Sequence, residues 1–289
     1  MLWQGSLWLS WSFFAPWLDK GATANFHGVC SVQRVSYIPT TWRLLLREEG
    51  LLDAGRGSVR IVLWPVSFPV SPACWRLLDA EEQRRANAFL RQEHRERFVA
   101  AHCGVRRLLA NALGCGAGQV RFLADGIAKP RLAEADIHFN LTHSGNWAAL
   151  AISRDCEVGL DLEQVRPVER SLPQHYFSSQ EQAALALSGA NDEEWLAGFF
   201  RCWTRKEALL KAVGAGLSLP LDAFTVTLQQ GLPATLLSSS LDVLQPRDWR
   251  LFHLDCLPGH IGALAACGHV QRVTVLVISG GEDGEAAAG

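Results

Sequence analysis

Two long stretches of helical periodicity, set among short β-branched runs in an irregular order, constrain this chain most. The first, PACWRLLDAEEQRRANAFLRQEHRERFVAAHCGVRRLLANALG from Pro72, carries apolar residues at helical spacing and breaks in the glycine-rich GCGAG. The second runs through SSQEQAALALSG and NDEEWLAGFFRCWTRKEALLKAVGAG, its end marked by Gly214 and Gly216. Ahead of the first lies VRIVLWPVSF, a strand from Val59 stopped by Pro65 and Pro69. Between the blocks come a short VRFL strand, a turn at Asp125-Gly126 and IAKPRL. FNLTHSG then leads into WAALAIS, a turn around Arg154 and Asp155, and EVGLDLEQV, the last two strands reading as a hairpin. FTVTL, DWRLFHLDCL and IGALAACG read as further strands, with a sharp turn at Pro258-Gly259. Each half thus offers an edge strand, helices and more strands. That order is not the βαβ repeat of a doubly wound sheet, so the expected fold is α+β, two lobes sharing one composite site.

The expected division places a first lobe over residues 59–155, a second over 156–280 and a flexible tail over 281–289. Residues 1–58 differ: five tryptophans crowd there and the opening MLWQGSLWLSWSFF bears no charge. No basic start precedes that stretch, as a signal peptide requires, and Asp19 and Lys20 interrupt it before the roughly 20 apolar residues of a membrane span. It reads as a poorly patterned, dispensable extension, with no stable membrane insertion.

The 27 Lys and Arg against 29 Asp and Glu give a net charge of −2, which argues against a non-specific nucleic-acid binder while allowing a local anion pocket. The eight cysteines form no CxxC pair, and the chain is large enough to fold without disulfides, so reduced thiols in a cytoplasmic protein are expected. There is no HExxH, GxGxxG, Walker A or GxSxG pattern.

Asp161 and Glu163, two apart on a strand, point the same way while Leu162 faces the opposite side, and Gly159 permits a close backbone approach. Such a pair offers two hard oxygen ligands to Mg²⁺; taken alone it reads first as a solvated strand face. On the second helical block Trp203, Glu207 and Lys211 lie at successive i,i+4 positions and share a face. Glu207 would add a third carboxylate and Lys211 an ammonium near phosphate, with Trp203 as a buttress. The plain alternative is an ordinary surface Glu–Lys pair. Lys206 points elsewhere and reads as surface support. Thr142, His143 and Ser144 read as a polar turn suited to anionic oxygens. A Ser144–His143–Asp161 triad is disfavoured, because serine and histidine are adjacent and no nucleophile elbow surrounds them. Lys129-Pro130 adds a cation. Arg85 and Arg97 are either phosphate contacts or solvated helix charge.

In order, GIAKP, FNLTHSG, VGLDLE and WTRKEALLKAVGAGLSLPL resemble the motif series of the Sfp-type 4'-phosphopantetheinyl transferases over about residues 59–230. The resemblance implies two similar α+β lobes in a monomer, with coenzyme A bound between them. It implies transfer of phosphopantetheine from coenzyme A to a serine of an apo acyl or peptidyl carrier protein, releasing adenosine 3',5'-bisphosphate. Carried over by residue, Asp161, Glu163 and Glu207 match the magnesium carboxylates. Lys211 matches the lysine near the transferred phosphate, and His143 resembles the histidine on a coenzyme A phosphate. Thr142 stands where many members have Ser. Lys129 and Pro130 match the Lys-Pro contact, preceded here by Ile127-Ala128 rather than Tyr-Gly or a second Gly. Arg85 and Arg97 resemble two basic nucleotide contacts. Asp161, Glu207 and Lys211 are then the catalytic set, with Glu207 accepting the serine proton. Two alternatives remain at this stage: a magnesium-dependent phosphohydrolase acting on a nucleotide-like diphosphate, and a coenzyme A-binding protein without turnover.

Overall fold

The computed structural model describes residues 34–38 as backbone, and 56–66, 69–123, 129–133, 135–187 and 191–278. The turn expected at Asp125-Gly126 and the tail over 281–289 lie outside the described residues, as does most of the extension.

Val59, Ile61 and Leu63 of strand β2 (Ser58–Pro65) face one core, while Val62 and Trp64 face another. A strand buried on both faces reads as a near-continuous apolar run, as VRIVLW does. β2 is therefore central, not the edge strand expected. Its five-stranded sheet runs β1 (Arg34–Ile38), β12 (Arg272–Ile278), β2, β6 (Trp147–Ser153), β5 (His138–Ser144). β12 pairs parallel to β2, register Val273–Val59 through Val277–Leu63, and β1 lies parallel to β12. The C-terminal strand thus crosses into the sheet of the first lobe, and the division at 155/156 does not separate the sheets. Part of the extension, residues 34–38, supplies that sheet's outer strand.

A second, antiparallel sheet runs β10 (Trp249–Leu254), β11 (His260–Cys267), β7 (Val158–Gln164). The two sheets meet face to face over a shared core from β2, β6, β7, β10, β11 and β12. WAALAIS and VGLDLEQ do not pair as a hairpin. β6 pairs instead with β5, across the two-residue turn Gly145-Asn146, and with β2, while β7 joins β11 in the other sheet. Two short ribbons, β3 (Phe122–Leu123) with β4 (Arg131–Leu132) and β8 (Phe224–Val226) with β9 (Leu236–Ser239), flank this sandwich.

Helices cover the outer faces. α1 (Pro72–Leu77), α2 (Ala80–Asn87) and α3 (Gln92–Leu113) lie on the five-stranded sheet; α4 (Leu172–Tyr176), α5 (Ser179–Ala186) and α6 (Asp192–Val213) lie on the other. Gly214 closes α6 in the left-handed conformation at φ 75°, where a side chain would be strained.

One packing device occurs twice. A capping box opens α2, where Asp79 and Glu82 exchange backbone bonds, and another opens α5, with Ser178 and Glu181. Each capping glutamate also reaches a buried base on the adjacent 22-residue helix: Glu82 meets Arg106 at 2.6 Å, and Glu181 meets Lys206 at 2.8 Å.

Candidate functional site

FNLTHSG is a strand, not the polar turn expected: Thr142, His143 and Ser144 all belong to β5. Side chains alternate along it, so Asn140, Thr142 and Ser144 share a face. That face stitches β5 to β7 across the gap between sheets. Asn140 Oδ1 accepts the Leu160 amide at 2.8 Å, and Ser144 Oγ accepts the Gln164 amide at 3.0 Å. Ser144 also donates to Glu163 Oε2 at 2.8 Å. Thr142 is committed to the same seam, its hydroxyl 3.5 Å from Asp161 Oδ1 and 3.3 Å from Lys211 Nζ. The other face of β5 carries Phe139 and Leu141 into the core beneath α3, and His143 follows them on that side.

α6 rests directly on β7. A Cβ built at Gly159 would stand 2.0 Å from the Ala208 carbonyl oxygen and 2.3 Å from the Ala212 nitrogen, so only glycine admits the helix. Ala208 and Ala212 press on the strand, and their neighbours Glu207 and Lys211 flank its carboxylates. Lys211 Nζ donates to Asp161 Oδ1 at 2.6 Å and to the Leu160 carbonyl at 3.3 Å. Trp203, Glu207 and Lys211 remain partly open on a stretch otherwise almost wholly buried. Trp203 stacks on Phe199 at 5.9 Å and meets Tyr176 edge-on at 5.7 Å. Lys206 is not a surface support. It is 0% exposed, paired with Glu181 and donating to the carbonyls of Leu221 and Phe224 at 2.8 and 2.6 Å. Helical spacing says that residue 206 points away from 207; it does not say that the ribbon β8–β9 covers that side.

Three carboxylates sharing one lysine make the site electrostatically unbalanced. Burial raises the Asp161 carboxyl above its ordinary pKa, against the pull of Lys211. Burial, then the charge of Asp161, pushes Glu163 and Glu207 each up to about 7. Burial draws the Lys211 ammonium down, but Asp161 and Glu207 outweigh it and hold it above the usual lysine value. Asp161 is 3% exposed, and its Oδ2 is buried without a hydrogen-bond partner. An orphaned carboxylate oxygen beside two repelled neighbours suits a hard divalent cation. Among the described residues, however, no three such side chains are already gathered at ligating distance.

Basic groups collect on the α3 side. Burial, then the charges of His102, Lys211, Arg97 and Arg85, lowers the half-buried His143 to about 3. The Arg85 guanidinium lies over the Phe98 ring at 5.1 Å, and Arg97 pairs with Glu93. These residues therefore converge with Lys211 on one region. Lys129 does not join them. Its ammonium donates to Glu157 Oε2 at 2.8 Å and to the Val158 carbonyl at 2.7 Å, three residues, or roughly 10 Å of strand, before Asp161. The Lys129–Glu157 pair separates two cavities of about 240 and 230 Å³, the second also lined by Pro130. Ser144 was expected only within an anion-holding turn, and Asn140 and His102 were not singled out. Alternation along NLTHS carried a signal for the first two; His102 carried none, its place depending on helix-to-sheet packing.

Residues 157–266 match the 4'-phosphopantetheinyl transferase superfamily. The chain is 36% identical over 197 residues to the 4'-phosphopantetheinyl transferase HetI of Nostoc sp., covering 66% of this chain and 79% of that one. It is 30% identical over 167 residues to the transferase ffp of Bacillus subtilis, and 29% identical over the same length to Sfp of Bacillus subtilis strain 168. Each match covers 57% of this chain and 73% of the relative. The holo-[acyl-carrier-protein] synthase of Thermotoga maritima aligns with TM-score 0.32 and 20% identity over 38% of this chain and 62% of that one. With more than two thirds of both HetI and ffp spanned at 30% identity or better, the chain belongs to the Sfp-type 4'-phosphopantetheinyl transferases.

Proposed function

We propose that this enzyme transfers 4'-phosphopantetheine from coenzyme A to a serine of an apo acyl or peptidyl carrier protein. The observation that carries the reading is the meeting of Asp161, Glu163, Glu207 and Lys211 between β7 and α6, beside a separate gathering of basic groups under α3. A dianionic diphosphate would satisfy both halves: its oxygens face the cations, and its charge is shared with whatever the carboxylates hold. The serine oxygen forms a bond to the β-phosphorus, and the bond from that phosphorus to the bridging oxygen breaks. Adenosine 3',5'-bisphosphate leaves with the electron pair, and the serine proton passes to a base.

We assign that base to Glu207, directly or through water. Glu207 stands one turn before Lys211 on α6, so the base and the phosphate-binding ammonium come from one helix face. Lys211, fixed by Asp161 and Thr142, stabilises charge on the transferred phosphate. Asp161, Glu163 and Glu207 would hold Mg²⁺, and Ser144 orients Glu163 for that task. When bound, the ion supplies neutralisation of diphosphate charge, the main requirement of phosphoryl transfer. His143, Arg85 and Arg97 bind the coenzyme A phosphates. Thr142 contributes through Asp161 and Lys211. Lys129 and Pro130 would serve the nucleotide end, where the two cavities lie.

The repeated glutamate–base device supports two similar lobes, each a helix pair on its own sheet, with β12 and β1 added to the first. Among the described residues no helix is long and apolar enough to cross a membrane. A monomer working in the cytoplasm, with reduced thiols, is the setting we assign. The test is intact mass of an apo carrier incubated with enzyme, coenzyme A and Mg²⁺. A gain of one phosphopantetheine group on serine, abolished by EDTA and restored by Mg²⁺, is the expected result. Cleavage of coenzyme A without carrier modification would instead establish hydrolysis and overturn the reading.

A further inference from the structure

The two copies of the repeated device differ most in chemistry one turn before the buried base. One turn before Arg106 on α3 stands His102; one turn before Lys206 on α6 stands Cys202. Cys202 is 0% exposed and lies against Glu181, so the packing role at that position needs nothing more than a small buried side chain. His102 keeps the glutamate contact, Nδ1 being 2.8 Å from Glu82 Oε1. Glu82 is itself pinned, its other oxygen receiving Arg106 Nε at 2.8 Å and the Asp79 amide at 2.9 Å. His102 first, and then Arg106, hold the Glu82 carboxyl below its ordinary pKa in spite of burial. An ionised carboxylate only accepts hydrogen bonds, so Nδ1 is the donor and Nε2 is left over. The ring is stacked on Phe98 at 3.9 Å between centroids, on the same phenylalanine that Arg85 covers. It retains 17% exposure, and Nε2 has no partner among the described residues.

The direction in which His102 lies completes the case. Phe139 and Leu141 face α3, and His143 follows on their side, where the strongest neighbouring charge acting on it is that of His102. Arg85, Arg97 and Lys211 act on the same imidazole. A locked ring therefore shares Phe98 with Arg85 and lies on the side of α3 that faces His143, in a place where the second lobe has an inert thiol.

We propose that His102 is a further substrate-binding residue of this enzyme: as the imidazolium, with Nδ1–H on Glu82, it donates Nε2–H to a phosphate oxygen of coenzyme A, and Glu82 is the positioning residue that fixes the ring. The inference rests on the transferase reading above. Nothing in the placement chooses between the diphosphate and the 3'-phosphate, so the test carries an arm for each.

Three replacements separate binding from packing. Asparagine reproduces the Nδ1 donor toward Glu82 and loses Nε2. Glutamine reaches as far as Nε2 and loses the Nδ1 geometry. Cysteine copies the second lobe. Coenzyme A binding is measured by calorimetry on the full chain, with melting curves as a check on folding. His102→Asn and His102→Cys should weaken binding about tenfold or more, and His102→Gln should stay within about threefold of the parent. Loss confined to coenzyme A, with 3'-dephospho-coenzyme A bound equally well by parent and variant, assigns the 3'-phosphate; equal loss on both assigns the diphosphate. A folded His102→Asn or His102→Cys protein that binds like the parent overturns the proposal. So does glutamine binding more weakly than asparagine, the order a packing role predicts. Carrier modification by the parent, followed by intact mass in the same preparation, keeps the outcomes apart. A parent that modifies the carrier while all variants bind normally sinks His102 alone, whereas a parent that neither binds coenzyme A nor modifies the carrier sinks the transferase reading with it.

Discussion

Replacing Gly159 with alanine tests whether the contact of α6 with β7 sets the chemistry. The added Cβ would lie 2.0 Å from the Ala208 carbonyl oxygen and 2.3 Å from the Ala212 nitrogen, where real contacts stay beyond 3.0 Å. Both opposing atoms are backbone within a helix, so no side chain can rotate aside. Strand and helix must part by about 1 Å, and the 2.6 Å Lys211–Asp161 contact stretches past good hydrogen-bonding range. Overpacking of this kind costs about 1–3 kcal/mol, which for a chain of this size lowers the melting point by roughly 3–10 °C. The effect on rate should be larger in proportion. A displacement of about 1 Å between catalytic groups costs up to roughly 10²-fold, and Glu207 and Lys211 both ride on the displaced helix. Melting is followed by circular dichroism and carrier modification by intact mass over time, below the variant's melting point. Parent-like melting together with parent-like turnover would refute the close approach. Lower stability with unchanged turnover would refute its catalytic importance.

Glu207→Gln, which keeps shape and loses charge and basicity, should lower carrier modification at least about 10²-fold without unfolding the chain; intact mass and a melting curve read the two effects separately. Lys206→Ala leaves the Glu181 charge buried without its partner and should destabilise by about 3–5 kcal/mol in denaturant titration, whereas Lys206→Met with Glu181→Gln should recover much of that loss. His253 is lowered to about 4 by burial and then by Arg205 and Arg201, below the ordinary 6.5. The unfolded chain therefore binds more protons between those values, and stability is lost as pH falls from about 6.5 toward 4. His253→Gln should flatten that part of the melting-point profile, and an unchanged slope would count against the assignment.

Much of the architecture was legible because it is local. Helical spacing located α3 and α6, glycine marked their ends, a β-branched run located β2, and short apolar runs bounded by turns located β7 and β11. Spacing of two and of four placed Asp161 with Glu163, and Trp203 with Glu207 and Lys211, on common faces. Those inferences need only the 2.0 and 3.6 residue periods of strand and helix. The ordered motifs supplied the family.

What escaped the sequence depends on partners distant along the chain. RVTVLVI was not read as a strand at all, and nothing local says that β12 inserts beside β2 more than two hundred residues earlier. The polar alternation of NLTHS has the same local pattern in an exposed turn as in a strand whose hydroxyls and amide bridge two sheets; only β7 alongside distinguishes them. Lys206 and Glu207 are neighbours of equal hydrophilicity. One is sealed against Glu181 and Phe224, and the other opens beside Asp161, because β8–β9 packs on one side of α6 and the carboxylate seam lies on the other. Periodicity states the angle between two side chains on a helix. Which of them is buried is settled by long-range packing, where the cost of covering a charge is set by the partner waiting there.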